Sequence, residues 1–182
     1  MKTLIKIITG FALLNSSLFG QLIFEGDSGP GKGKHIVFIA SDHEYRSEET
    51  LPAMARILAK HFGFKCTTLF GVNEKGEISP GNSNVPGMEA LKDADLMVVF
   101  TRFQNWSDEQ MQHFVDYLDR GGPIVGLRTA THGFKIPANS KWAKYSNGYG
   151  GNEYKDGWGR QVLGEKWAGH YGGNHRQSTR LD

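Results

Sequence analysis

The sequence predicts an α/β fold: a three-layer sandwich around a mostly parallel sheet. Three observations carry this. Apolar runs rich in β-branched residues alternate with segments of helical spacing. Their order is strand, helix, strand, helix, strand, helix, strand, which is a succession of βαβ units. The strand runs are also continuously apolar, as expected where both faces of a parallel sheet are covered. Crossovers are then right-handed, and the chain shows no internal repeat.

Each element has its own signal. "HIVFIA" (His35–Ala40) is a buried first strand, followed by the polar loop "SDHEYRSEE". "TLPAMARILAKHF" places Leu51, Met54, Ile57, Leu58 and Phe62 on one helical face. Pro52 suits the first turn of that helix and Gly63 its end. "FKCTTLFG" reads as the second strand, and residues 72–87 as a long loop rich in Gly, Asn, Ser and Pro. "MEALKDA" is a short helix and "DLMVVFT" the third buried strand. "SDEQMQHFVDYLDRGG" is the clearest helix. Ser107 caps it, Gln110 completes a capping box, Met111, Phe114, Val115 and Leu118 face inward, and Gly121 stops it.

"PIVGLR" is the fourth strand, and beyond His132 the regular pattern fades. "NSKWAKYS" reads as a short helix, "GYGGNEYKDGWG" as a turn-rich loop, and "WGRQVLGEKW" as either a strand or a helical turn. The polar tail "HYGGNHRQSTRLD" has no closing element. Four strands make a small sheet for this architecture, so the expectation is a domain truncated at its C-terminus, with further domains possible in a longer chain.

A length of 182 residues indicates one domain. The charge is nearly balanced, 21 Lys+Arg against 19 Asp+Glu, and no basic stripe marks a nucleic-acid binder. Lys2 and Lys6 flank the short apolar run "IITGFALL", which leads into "NSSLFG". This is the layout of a secretory signal peptide, and the run is too short to span a bilayer. The expected organisation is a signal peptide over 1–20, a linker over 21–34 and the α/β domain over 35–182. The mature protein is then periplasmic or secreted, with no membrane span. Cys66 is the only cysteine, so an intramolecular disulfide and a cysteine-based zinc site are both excluded. Its alternating setting marks a buried thiol.

Ligands in open parallel sheets sit beyond the carboxyl ends of the strands. Here the first strand delivers Asp42, His43, Glu44, Tyr45 and Arg46, and the third delivers Thr101, Arg102, Phe103 and Gln104. The fourth delivers Arg128, Thr129, Thr131 and His132. Three guanidinium groups at one edge repel unless something negative or strongly hydrogen-bonding lies among them. Either Glu44, Glu48 and Glu49 pair with them as a rim network, or the cluster binds an anion or a hydroxyl-rich ligand. The two overlap, because an acid–base pair can hold an arginine in place for a ligand.

The expected binding residues are Arg46, Arg102, Arg128, Thr129 and Tyr45. His132 is the expected proton carrier, and Glu44 positions an arginine. "GHYGGNH" puts His170 and His175 at His-x4-His spacing beside Asn174, but no helix fixes the two rings. Neither a metal nor a cofactor is assigned. Trp142, Trp158 and Trp167, with Tyr145, Tyr149, Tyr154 and Tyr171, crowd the last third, as sugar-stacking rings or as core.

The stretch "PIVGLRTATH" looks like the strand-to-turn region where class I glutamine amidotransferase-like domains carry Gly-x-Cys-x-Gly. Three ordered blocks together resemble the ThuA-like family, named for trehalose utilisation. They are "HIVFIASDHEYRSEETLPAMARIL", "DLMVVFTRFQNWSDEQMQHFVDYLDRGGPIVGLRTATHGF" and "WGRQVLGEKWAGHYGGNH". The resemblance implies a flavodoxin-like or amidotransferase-like fold and a link to carbohydrate metabolism in exported proteins. It does not imply amidotransferase activity. Arg128 stands where those enzymes hold Cys, Ala130 replaces the second Gly, and Cys66 lies on another strand. The expected function is that of an exported protein binding or processing a saccharide or oxidised sugar derivative. The alternative is a non-catalytic binding module of a larger exported protein.

Overall fold

Strand β2 (His35–Ser41) is buried at every position from Ile36 to Ser41. A strand that exposes neither face must lie centrally in a sheet covered on both sides. The computed structural model describes residues 20–170 and has that arrangement. The sheet has five strands in the order β1-β3-β2-β4-β5. β3 is Lys65–Phe70, β4 is Leu96–Thr101 and β5 is Ile124–Gly126. These pair in parallel with their neighbours, whereas β1 (Gln21–Phe24) runs antiparallel to β3. The fold is α/β with a mixed, mostly parallel sheet.

Period-two alternation divides the strands between two cores. Val37, Ile39, Leu69, Met97 and Val99 face helix α2 (Asp108–Asp119) and the 3-10 turn Met88–Asp93. Ile36, Phe38, Cys66, Phe70, Val98 and Phe100 face helix α1 (Ser47–Phe62). The α2 side is richer in aromatics: Phe114 contacts the rings of Trp106, Phe134, Tyr145 and Trp158, which seal the end of the sheet where the chain turns irregular.

The capping box on α2 forms as its sequence indicates. Ser107 Oγ accepts from Gln110 N, and the Gln110 side chain accepts from Ser107 N. Gly63 ends α1 in the left-handed conformation, φ 80°.

Three expectations are corrected. Residues 21–34 do not serve only as a linker, because Gln21–Phe24 adds the edge strand β1. The strand is four residues long with Leu22 and Ile23 exposed, so neither length nor alternation announces it. Secondly, α1 begins a turn before Thr50, so Pro52 lies inside the helix rather than in its first turn. The cause is Asp42, whose buried carboxylate accepts from the backbone N–H groups of Glu44, Tyr45 and Ser47 and fixes the entry into the helix. Thirdly, the inward face of α1 is Leu51, Ala55 and Ala59, while Met54, Ile57 and Phe62 remain exposed. Two alanines let the helix approach the sheet closely, which rotates the larger side chains outward.

The two readings left open for the last third resolve into short turns. Ala143–Tyr145 is a 3-10 turn and Gly159–Leu163 a single π-helical turn. The segment read as a signal peptide lies outside the described residues up to position 19, as do Tyr171, Asn174 and His175. Among the described residues, no helix is long and apolar enough to cross a membrane.

Candidate functional site

Strands β2, β4 and β5 all end on the same edge, and each passes into a strained residue. Arg46, Phe103 and Arg128 have φ of 56°, 52° and 46°. Non-glycine residues rarely occupy this region, and such outliers gather where a structure over-determines its backbone. Arg128 comes two residues after β5 and opens the 3-10 turn Arg128–His132. The strand therefore does end in a sharp elbow, with an arginine at its tip.

The edge is braced from below. The buried Gln104 side chain donates through Nε2 to the carbonyls of Ser41, Gly81 and Arg102, and its Oε1 lies 2.9 Å from Ser41 Oγ. Gln104 N also donates to Gly133 O and Phe103 N to His132 O. These bonds tie the ends of β2 and β4 to the turn after β5. Trp158, buried in the α2-side core, donates Nε1–H to Ala130 O at 2.6 Å and anchors that turn from behind.

On this base sits a cavity of about 200 Å³. Glu44, Tyr45, Arg102, Arg128, Thr129 and His132 line it, with Thr131, Trp167 and His170 completing the wall. Six of the seven residues expected from the sequence are thus brought together. Arg46 is not: its side chain is 73 % exposed and pairs with Glu49 one helical turn on. The left-handed backbone at Arg46 places it in the first turn of α1, away from the cavity. The convergence is therefore of two arginines rather than three.

The two arginines are held differently. Arg102 Nε lies 3.0 Å from Glu44 Oε2, and its NH1 lies 2.6 Å from His43 Nε2. Its Cζ sits 4.7 Å from the Phe103 ring centroid. Arg128 Cζ sits 3.7 Å from the centroid of Tyr45, a cation–π contact. Glu44 thus offsets Arg102 and leaves Arg128 as the uncompensated cation of the cavity.

His132 is only 6 % exposed. Its ring lies 5.1 Å from that of Phe103 and 5.0 Å from that of Trp167, centroid to centroid. Burial pushes its pKa down to about 4; Arg102 and His170 push the same way, and Glu44 opposes them. At neutral pH the imidazole is therefore uncharged and offers one donor and one acceptor. Thr129 Oγ1, also buried at the cavity wall, has no hydrogen-bond partner. An unsatisfied buried hydroxyl costs about 1–3 kcal/mol and marks a place for a ligand or water atom.

Cys66 lies on β3 in the α1-side core, with its pKa raised to about 11 by burial first and Glu25 second. It plays no part at the elbow. Among the described residues, no three His, Cys, Asp or Glu side chains converge to hold a metal, and His175 lies outside them.

A larger cavity, about 870 Å³, opens on the other side of Thr131 between α2 and the segment after β5. Its walls include core aromatics, Tyr145 and Tyr154, and the exposed carboxylates of Asp119 and Glu165. It has neither the strained backbone nor the orphaned hydroxyl of the smaller one, so the chemistry points to the smaller.

Three features of the site escaped the sequence. Asp42 shapes the loop through its backbone bonds, Gln104 is a structural hub, and Trp167 covers His132. Polar residues just past a buried strand were the available signal for the first two. No family model, curated protein or solved structure matches this chain.

Proposed function

We propose that this chain is an exported ThuA-like domain, flavodoxin-like in architecture, that binds or processes a saccharide or oxidised sugar derivative without amidotransferase activity. The observation that carries this reading is the elbow after β5. The position where a reactive side chain would be presented holds Arg128, strained at φ 46° and facing a cavity shared with Arg102 and the buried His132. A guanidinium cannot act as a nucleophile, but its fork suits carboxylate and paired hydroxyl oxygens. Tyr45 and Trp167 supply aromatic surface of the kind sugar rings stack on. The alternation of charged and amphipathic residues at positions 1–20 supports export to the periplasm or medium.

In this reading Arg128 and Arg102 orient the ligand, Glu44 fixes Arg102, and Thr129 donates or accepts one hydrogen bond. His132 moves a proton if a reaction follows. Replacing Arg128 and His132 singly by Ala, with saccharide binding and turnover measured, tests the assignment. Loss of binding with Arg128→Ala supports it, and unchanged binding and turnover in both folded variants removes it.

One observation favours a second reading, a binding module without catalysis. An imidazole with a pKa of about 4 is a weak base at neutral pH, whereas an efficient general base sits near the working pH. Tight saccharide binding with no turnover in any purified sample distinguishes this reading from the first.

A further inference from the structure

The cavity makes a finer commitment about its ligand, one that rests on the saccharide reading above. Its charges do not cancel. Arg102 is engaged on two sides by Glu44 and His43. Arg128, in contrast, makes no hydrogen bond or ion pair among the described residues, and its one contact is the Tyr45 ring. Stacking occupies a face of the guanidinium and leaves its in-plane N–H groups for an acceptor. Two parallel N–H donors match the two oxygens of a carboxylate. Thr129 follows Arg128 directly, is 3 % exposed and lines the same cavity with its hydroxyl unpartnered.

Size and walls set the rest. About 200 Å³ falls below the roughly 300–1,000 Å³ of pockets that enclose drug-sized ligands, so there is room for one ring rather than two. Trp167 is 36 % exposed over His132 and presents an aromatic surface to that ring. His132, uncharged at neutral pH, adds no second cation, so one negative charge balances the site.

We propose that the cavity binds a monosaccharide-sized sugar acid, its carboxylate held by Arg128 and Thr129 Oγ1 and its ring laid against Trp167. A neutral sugar leaves Arg128 uncompensated, and a phosphate dianion overcharges the site.

Calorimetric titration of the 182-residue chain at pH 7 tests this. The probes are D-glucuronate, D-galacturonate and D-gluconate, set against D-glucose, D-glucose 6-phosphate and acetate. The expected result is that the best of the three acids binds at least about ten-fold tighter than glucose, the phosphate or acetate, the size of one charge-assisted bond pair. Arg128→Gln should reduce the ratio of acid to glucose affinity to within about two-fold. Thr129→Val, which preserves shape, should lower acid affinity several-fold and keeps the test open if the arginine variant does not fold. Glucose binding as tightly as the acids overturns the sugar-acid assignment and leaves the saccharide reading standing. So does tighter binding of the phosphate, whereas acetate matching the acids shows that the ring contributes nothing and overturns it as well. Failure of every sugar and sugar acid to bind overturns both.

Discussion

Arg128 Cζ lies 3.7 Å from the centroid of the Tyr45 ring, joining the residue at the tip of the β5 elbow to the loop that leaves β2. The contact spans two segments that share no backbone pairing, since β2 and β5 are separated in the sheet by β4. It therefore fixes the width of the cavity between them. The arginine holds this place in a left-handed backbone conformation that its side chain does not favour.

That strain is separable from binding. Arg128→Gly should relieve a backbone cost of about 1–3 kcal/mol and lose a cation–π contact of about 1 kcal/mol, leaving stability unchanged or slightly raised. Arg128→Val, β-branched at φ 46°, should be less stable than the glycine variant by about 1–3 kcal/mol. Urea denaturation of both variants checks the order. Equal stabilities would mean that the elbow relaxes freely and is not held by its surroundings.

The buried His132 makes stability depend on pH. Its native pKa of about 4 lies below the ordinary 6.5, so as pH falls the unfolded chain takes up this proton first. Stability from this group is full above about pH 6.5, is lost progressively down to about pH 4, and is level below that. The groups that set the value are Arg102, Glu44 and His170, with Phe103 and Trp167 against the ring. The effect is on the order of 2 kcal/mol after allowance for solvent screening. His132→Asn should flatten the slope of unfolding free energy between pH 4 and 6.5. His35, lowered by burial first and Lys65 second, keeps a smaller slope of the same sign. An unchanged slope in the variant would show that the ring is solvated in solution.

Gln104 is expected to matter more for stability than any residue lining the cavity. Gln104→Leu leaves the carbonyls of Ser41, Gly81 and Arg102 without their shared donor. The cost should be on the order of 3 kcal/mol, and ligand affinity should fall with it because the ends of β2 and β4 lose their brace. Denaturation and titration of the same sample measure the two effects. Full stability with normal affinity would remove Gln104 from the scaffold of the site.

The central strands, α2 with its capping box and the edge where the site lies were legible because each rests on a local, periodic signal. Continuous apolar runs cannot be satisfied at a sheet margin, so β2, β3 and β4 had to be central. β1 was hidden because an edge strand of four residues, half exposed, carries neither alternation nor a continuous run. The inner face of α1 was misread because hydrophobicity outweighed size: Met54 and Ile57 are more apolar than Ala55 and Ala59, but the sheet accepts the smaller pair. At the site, strand ends predicted which segments converge, since topology alone decides that. Side-chain direction beyond a strand is set by individual φ values, and these separate Arg46 from Arg102 and Arg128 although all three leave the sheet at one edge. The contacts of Gln104 and Trp167 link positions far apart in sequence, and no spacing rule announces them.

The most direct test of the account is a crystal structure of the chain soaked with D-glucuronate at pH 7. The account predicts ligand density above the carboxyl end of β5, with a carboxylate within hydrogen-bonding distance of Arg128 and Thr129 and a ring against Trp167. Well-ordered sugar density elsewhere, with the Arg128–Tyr45 contact undisturbed and the cavity holding only water, would contradict it.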